Sequence, residues 1–202
     1  MTHLYLKSRE IKPAIISLIA GSLKIGQVVV LPTDTIYGLS CLASDARAIK
    51  KIQKLKKRDV KKPLLILIGS IADLKKYAFV SRRQETMLKK IWIDSPRPTT
   101  VILRHRGRLP QELTGDSDGL AARLPKSEFL VKILKAVKQP LVSSSLNLSG
   151  RENVLDLKSL DSYFPKKQPR PDLVVDTGRC RRRRPSRLLD LRDEKKPIVL
   201  RN

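Results

Sequence analysis

Gln27-Val28-Val29-Val30-Leu31 is an apolar run without alternation. A strand with one wet face would alternate apolar and polar residues, so this run belongs inside a sheet covered on both faces. The chain supplies covers on either side of it. Before it, Ile11, Ala14, Ile15, Leu18, Ile19 and Leu23 recur at helical spacing, and Gly26 can end that helix in a left-handed cap. After it, residues 45–56 turn Ala48, Ile49, Ile52 and Leu55 inward and Lys50, Lys51 and Lys54 outward, with Ser44 as the expected cap. Leu64–Ile68 reads as a second buried strand, and Ser70 and Ser81 each open a short helical pattern. Thr99–Arg104 is a strand rich in β-branched residues. Residues 106–119 form a turn-rich loop, Leu120–Pro125 a strand and residues 126–138 an amphipathic helix. A further strand runs into Ser143, a loop and short helix cover 151–164, and a Pro/Lys-rich connector spans 165–171. Short strands at Leu173–Val175, Leu188–Leu191 and Ile198–Arg201 close the chain, and His3 is expected in a frayed N-terminus. This alternation predicts a single α/β domain over residues 1–202, a twisted, mixed, open sheet with flanking helices.

Charge narrows the partners. The 43 Lys and Arg against 19 Asp and Glu leave +24, which points to anionic substrates, nucleic acid or both. The same excess fits a source whose proteins are basic in general. Cys41 and Cys180 match no metal spacing and are too few for a disulfide framework, so a reducing cytoplasm is expected. The N-terminal apolar stretch is broken by Lys12, Ser17 and Ser22, which marks a core helix rather than a membrane span.

Three places put polar groups at strand ends, where ligands of open α/β sheets bind. The first is Pro32-Thr33-Asp34-Thr35, directly after the opening strand. The second is Ser143-Ser144-Ser145-Leu146-Asn147-Leu148-Ser149-Gly150. Their hydroxyls and amide suit phosphate or ribose, and they also suit ordinary Ser/Asn/Asp turns. The third is Lys54 to Lys62, where cations run straight into the Leu64–Ile68 strand. It reads as a phosphate mouth or as a solvated helix end. Lys56 and Arg58 are two apart, so they can converge only if the helix ends between them. Arg123, in an apolar strand, needs either an internal carboxylate or a ligand carboxylate.

Together these segments resemble a known family. Pro32-Thr33-Asp34-Thr35-Ile36-Tyr37-Gly38-Leu39 is similar to the P-T-[ED]-T-x-Y-G-L signature of the YrdC/TsaC family. Lys56-Lys57-Arg58 resembles its K-x-R, Pro63-Leu64 its P-L, and Leu120 to Pro125 its A-V-R-x-P segment. Ser145-Leu146-Asn147-Leu148-Ser149-Gly150 resembles its S-x-N-x-S-G. Asp176-Thr177-Gly178 and Pro185-Ser186 to Leu191 resemble its closing D-x-G and P-S-T segments. The blocks come in family order and span nearly the whole chain.

The resemblance implies a YrdC-like fold in its short, single-domain form. It implies L-threonylcarbamoyladenylate synthesis, in which threonine, bicarbonate and ATP give threonylcarbamoyl-AMP and pyrophosphate. The product feeds threonylcarbamoyladenosine formation by a downstream tRNA threonylcarbamoyl transferase. By the same resemblance Lys56 and Arg58 hold the ATP phosphates, Ser145 and Asn147 contact the nucleotide, and Lys62 and Arg201 lie near it. Arg123 grips the threonine carboxylate, while Thr35, Ser143 and Ser186 help bind threonine or its carbamate. No side chain is expected as an acid or base, and Mg²⁺ is expected to accompany ATP. Three departures stand out. Asp59 replaces a Pro, Arg187 replaces the Thr of P-S-T, and a Gly-rich loop is replaced by Arg179-Cys180-Arg181-Arg182-Arg183-Arg184, so residues 179–185 are expected as a basic loop. That arginine run and the net charge also support an alternative, an RNA-binding protein on the same basic concave fold, with RNA or tRNA held on the surface.

Overall fold

In this computed structural model, residues 1–6, 11–165, 169–180 and 185–202 are described. Arg181 to Arg184, the centre of the expected basic loop, lie outside the described residues. Ten strands form one mixed sheet among the described residues: β1 (Thr2–Tyr5), β2 (Val29–Pro32), β3 (Tyr37–Leu42), β4 (Leu65–Leu67), β5 (Thr99–Arg104), β6 (Gly119–Arg123), β7 (Leu141–Ser145), β8 (Leu173–Asp176), β9 (Arg187–Asp190) and β10 (Ile198–Arg201). Their order across the sheet is β1-β8-β2-β3-β7-β4-β6-β5-β9-β10. The helices are α1 (Pro13–Lys24), α2 (Ala46–Lys56), α3 (Ile71–Leu74), α4 (Arg82–Lys89), α5 (Gln111–Thr114), α6 (Glu128–Val137) and α7 (Leu160–Tyr163). Among the described residues no helix is long and apolar enough to cross a membrane.

The opening run behaves as its pattern requires. Val29, Val30 and Leu31 are buried, with β8 parallel on one side and β3 antiparallel on the other. Residues paired in register share a face of the sheet. One face carries Leu39, Cys41, Val142, Ile66, Ala122, Val101 and Leu189 against α2, Leu88 and Trp92. Trp92, in a π-helical turn after α4, donates its indole N–H to the Thr99 carbonyl at 2.8 Å. The other face carries Val29, Leu31, Leu42, Leu67 and Leu141 against α1 and α6.

Several expectations are corrected. Tyr37–Leu42 is a fully buried strand that its apolar pattern does not announce. Thr33 makes the reversal before it, since its Oγ1 accepts from the amides of Thr35 and Ile36 and donates to the Ile36 carbonyl at 2.5 Å. The N-terminus is not frayed, because His3 pairs with Val174 in β8. Asp45, not Ser44, caps α2 by accepting from the Ala48 amide, and Ser44 donates to Gln139 instead. The 106–119 loop contains α5. Helix α1 is rotated from its expected face: Ile16 and Ala20 are buried while Leu18 is 50% exposed.

Candidate functional site

Helices α1 and α6 leave part of their face of the sheet open. Ser40, Ser143, Leu65, Ala121, Ile102 and Asp190 form one cross-strand row there, following the registers of five adjacent strand pairs. Leu65, Ala121 and Ile102 remain half-buried. One register step away, Leu42, Leu141, Leu67 and Arg123 form the next row. Its leucines lie under the helices, so Arg123 stands where covered core gives way to open sheet.

Lys56 ends α2, and Lys57 reverses the chain in a left-handed conformation (φ 47°). The helix therefore stops between Lys56 and Arg58, as convergence requires. Lys56 is buried, and its ammonium donates to the Ser145 carbonyl at 2.5 Å, the Asn147 carbonyl at 3.0 Å and Asn147 Oδ1 at 2.6 Å. Burial first, and the like charge of Arg58 second, pull its pKa down to about 7. The three oxygens oppose that pull, because each needs an N–H pointed at it and only the ammonium supplies three. Asn147 Oδ1 also accepts from Ser145 Oγ at 2.7 Å, and Asn147 Nδ2 donates to the Arg151 carbonyl. The helix end and the Ser145–Asn147 turn are thus one unit, further tied by the Ser149 amide to the Lys56 carbonyl at 2.7 Å.

Arg58 is half-buried and donates to the carbonyls of Lys62 (3.4 Å) and Pro63 (2.9 Å), while Lys62 is exposed. Arg58 lines a cavity of about 540 Å³ with Lys50, Lys54, Lys57 and Lys61, closed by Glu112 and Asp116 of the 111–116 segment. This gives the cationic mouth a definite hollow. Among its cations, Lys50 is paired with Glu112 at 3.0 Å.

The 33–36 turn folds down over the open face. Gly38 permits this: a Cβ there would sit 3.2 Å from Ser143 Oγ, 3.3 Å from the Ser144 carbonyl and 3.4 Å from Thr33 Cγ2. The turn brings Asp34 Oδ1 to 3.1 Å from Arg123 Nη2, with both side chains nearly excluded from solvent. Arg123 therefore has the internal carboxylate that its burial demands. Its Nε is buried without a hydrogen-bond partner. Burial depresses the guanidinium pKa, Asp34 opposes this, and the like charge of Arg201 adds to the depression. Thr35 Oγ1 lies 3.0 Å from Thr33 Oγ1 within the turn.

A third group stands at the β9–β10 end. Buried Ser186 Oγ is 2.9 Å from Thr100 Oγ1, and Arg201 donates Nε–H to the Ser186 carbonyl at 3.0 Å. Lys56, Ser145 and Asn147 form one cluster, and Arg123 meets Asp34, the chain neighbour of Thr35. Ser186 and Arg201 form the third cluster, while Ser143 lies between on the sheet. Sequence reasoning passed over Gly38 and Thr100 as site components. Gly38 stood inside the quoted signature, but its role depends on cross-strand neighbours more than a hundred residues away.

An open sheet face with hydroxyls and a buried arginine, together with a cationic hollow at the end of α2, is an α/β arrangement suited to an anionic small molecule. The Sua5/YciO/YrdC model, described as telomere recombination, matches residues 22–202, and the chain belongs to that family. The chain is 32% identical over 174 residues to the threonylcarbamoyl-AMP synthase of Stutzerimonas stutzeri, covering 86% of this chain and 91% of that one. It is 31% identical over 187 residues to the threonylcarbamoyl-AMP synthase of Pyrococcus abyssi, covering 92% of this chain but only 53% of that protein. Among solved structures, P. abyssi Sua5 complexed with L-threonine superposes with a TM-score of 0.86 at 29% identity, over 100% of this chain and 57% of that one. The chain thus spans about half the length of the archaeal relative and about nine-tenths of the bacterial one.

Proposed function

We propose that the chain is an L-threonylcarbamoyladenylate synthase that uses L-threonine, bicarbonate and ATP. The observation that carries the reading is Arg123, a buried cation suited to a carboxylate, on an open sheet face that also carries hydroxyls. The names of the relatives and the threonine-bound neighbour agree with it.

In this reading the threonine carboxylate sits on Arg123, with Thr35, Ser143 and Ser186 around its amine and side chain. Arg58 and Lys62 neutralise ATP phosphates at the rim. Lys56 adds its charge from beneath the turn whose Ser145 and Asn147 meet the nucleotide, and Arg201 closes the far side. The deprotonated amine attacks carbon dioxide derived from bicarbonate, forming the N–C bond and releasing a proton to solvent. A carbamate oxygen then attacks the α-phosphorus in line. The bond from the α-phosphorus to the bridging oxygen breaks, and pyrophosphate leaves with that electron pair. Such a transfer needs alignment and charge neutralisation more than a covalent catalyst, which fits a site of cations and hydroxyls. Mg²⁺ would arrive on the phosphates of ATP. The product would serve a tRNA-modifying transferase in the cytoplasm. The competing RNA-binding reading draws on net charge and the arginine run, and the relatives' names favour the synthase.

The test is pyrophosphate release with threonine, bicarbonate and ATP present, lost on omission of any one and in a Lys56→Ala/Arg58→Ala double variant. Full activity in the double variant, or none in the native chain, overturns the assignment.

A further inference from the structure

Arg123 is already occupied. Asp34, at the tip of the 33–36 turn, places a carboxylate oxygen 3.1 Å from Nη2 in a nearly solvent-free setting. The Lys126 amide reaches the other oxygen only at 3.5 Å. The grip of Asp34 on the guanidinium is one-sided, because Nε is buried and has no hydrogen-bond partner. A free carboxylate laid along the same edge could take both Nε and Nη2, the bidentate arrangement that arginine favours. Thr33 braces the turn that carries Asp34 from within. Exchange of the Asp34 carboxylate leaves those Thr33 bonds in place.

From this geometry we infer that Asp34 is an internal stand-in for the substrate carboxylate, a competitor that holds Arg123 until threonine displaces it. The inference rests on the synthase reading of this site. Exchange of one carboxylate for another means that the buried guanidinium never stands without an anion, a state that is strongly disfavoured. Threonine gains by hydrogen-bonding Nε, which the ion pair with Asp34 leaves unsatisfied. Departure of Asp34 also shifts its neighbour Thr35, so that occupancy of Arg123 and presentation of the Thr35 hydroxyl are coupled. The cost of displacing Asp34 weakens the apparent affinity for threonine, because breaking that pair offsets part of the binding free energy. Asp34 thus sets threonine affinity without being a group that the reaction consumes.

The test is calorimetric titration of threonine into the full chain without ATP, for wild type, Asp34→Asn and Asp34→Ala, with circular dichroism and melting curves confirming that each is folded. Asn keeps the shape and removes the charge, so it covers the case in which Ala does not fold. The expected result is threonine binding at least ~10-fold tighter in Asp34→Asn than in wild type, as removal of a competing state requires. The KM for threonine should fall while that for ATP stays unchanged, and threonine should raise the melting temperature of the variants more than that of wild type. Unchanged or weaker binding in the variants overturns the inference; weaker binding would mean that Asp34 contacts threonine directly. Wild type that forms pyrophosphate with threonine while the variants bind no tighter leaves the synthase reading standing and removes the stand-in. Absence of both binding and pyrophosphate in all three proteins removes both.

Discussion

Replacing Lys56 with Met separates a buried strut from a direct phosphate ligand. The Lys56 ammonium satisfies three oxygens of the Ser145–Asn147 turn. Two of them keep a second donor when it goes: the Ser145 carbonyl keeps the Asn147 amide at 3.0 Å, and Asn147 Oδ1 keeps Ser145 Oγ at 2.7 Å. The Asn147 carbonyl loses the Lys56 donor, and a buried acceptor left bare costs about 1–3 kcal/mol. Met refills the apolar stem and removes the desolvation of an ammonium, which offsets the two weakened bonds. The net loss is about 2 kcal/mol, or a melting temperature lower by roughly 4–8 °C in a chain of this size. The KM for ATP should rise with it, because the turn that presents Ser145 and Asn147 loosens.

The pH dependence carries the same signature. Lys56 titrates near 7 in the folded chain against 10.5 ordinarily, so between these values the unfolded chain holds the extra proton. Stability of wild type relative to Lys56→Met should therefore climb from pH 7 to 10, by at most about 1.4 kcal/mol per pH unit, and stay flat below 7. Urea melts of both proteins from pH 6 to 10 measure this. An unchanged melting temperature together with abolished ATP binding would refute the strut and make Lys56 a direct ligand.

Two further substitutions follow from the geometry. Arg58→Ala removes a half-buried side chain bonded to two neighbouring carbonyls, so its melting temperature should hardly move. Its KM for ATP should rise ~10-fold or more, the loss expected for a charged hydrogen bond of about 1.5–3 kcal/mol. Gly38→Ala crowds Ser143, Ser144 and Thr33, so it should destabilise by about 1–3 kcal/mol and raise the KM for threonine, both readable in one purified sample.

Much of the frame was legible because apolar period is local. Val28 to Leu31 announced a doubly covered strand, Thr99–Arg104 matched its strand end to end, and Ser70 and Ser81 cap α3 and α4. Tyr37–Leu42 was missed because Gly38, Ser40 and Cys41 blur its pattern, although one partner, β2, lies only a turn before it and the other, β7, a hundred residues on. β1 was missed because four residues at a terminus carry little period, and only β8 makes them a strand. In the site, residue types suggested anion and carboxylate chemistry, and the partner of Arg123 stood open between ligand and internal acid. The fold resolves it to Asp34, 89 residues earlier, since a turn lapping over a sheet face leaves no mark in the sequence.

The most direct measurement is mass spectrometry of the nucleotide product formed by the native chain from threonine, ATP and ¹³C-bicarbonate. The account predicts threonylcarbamoyl-AMP carrying one ¹³C, formed together with pyrophosphate and absent when threonine is withheld. Pyrophosphate without a labelled adenylate, or ADP in place of pyrophosphate, would contradict it.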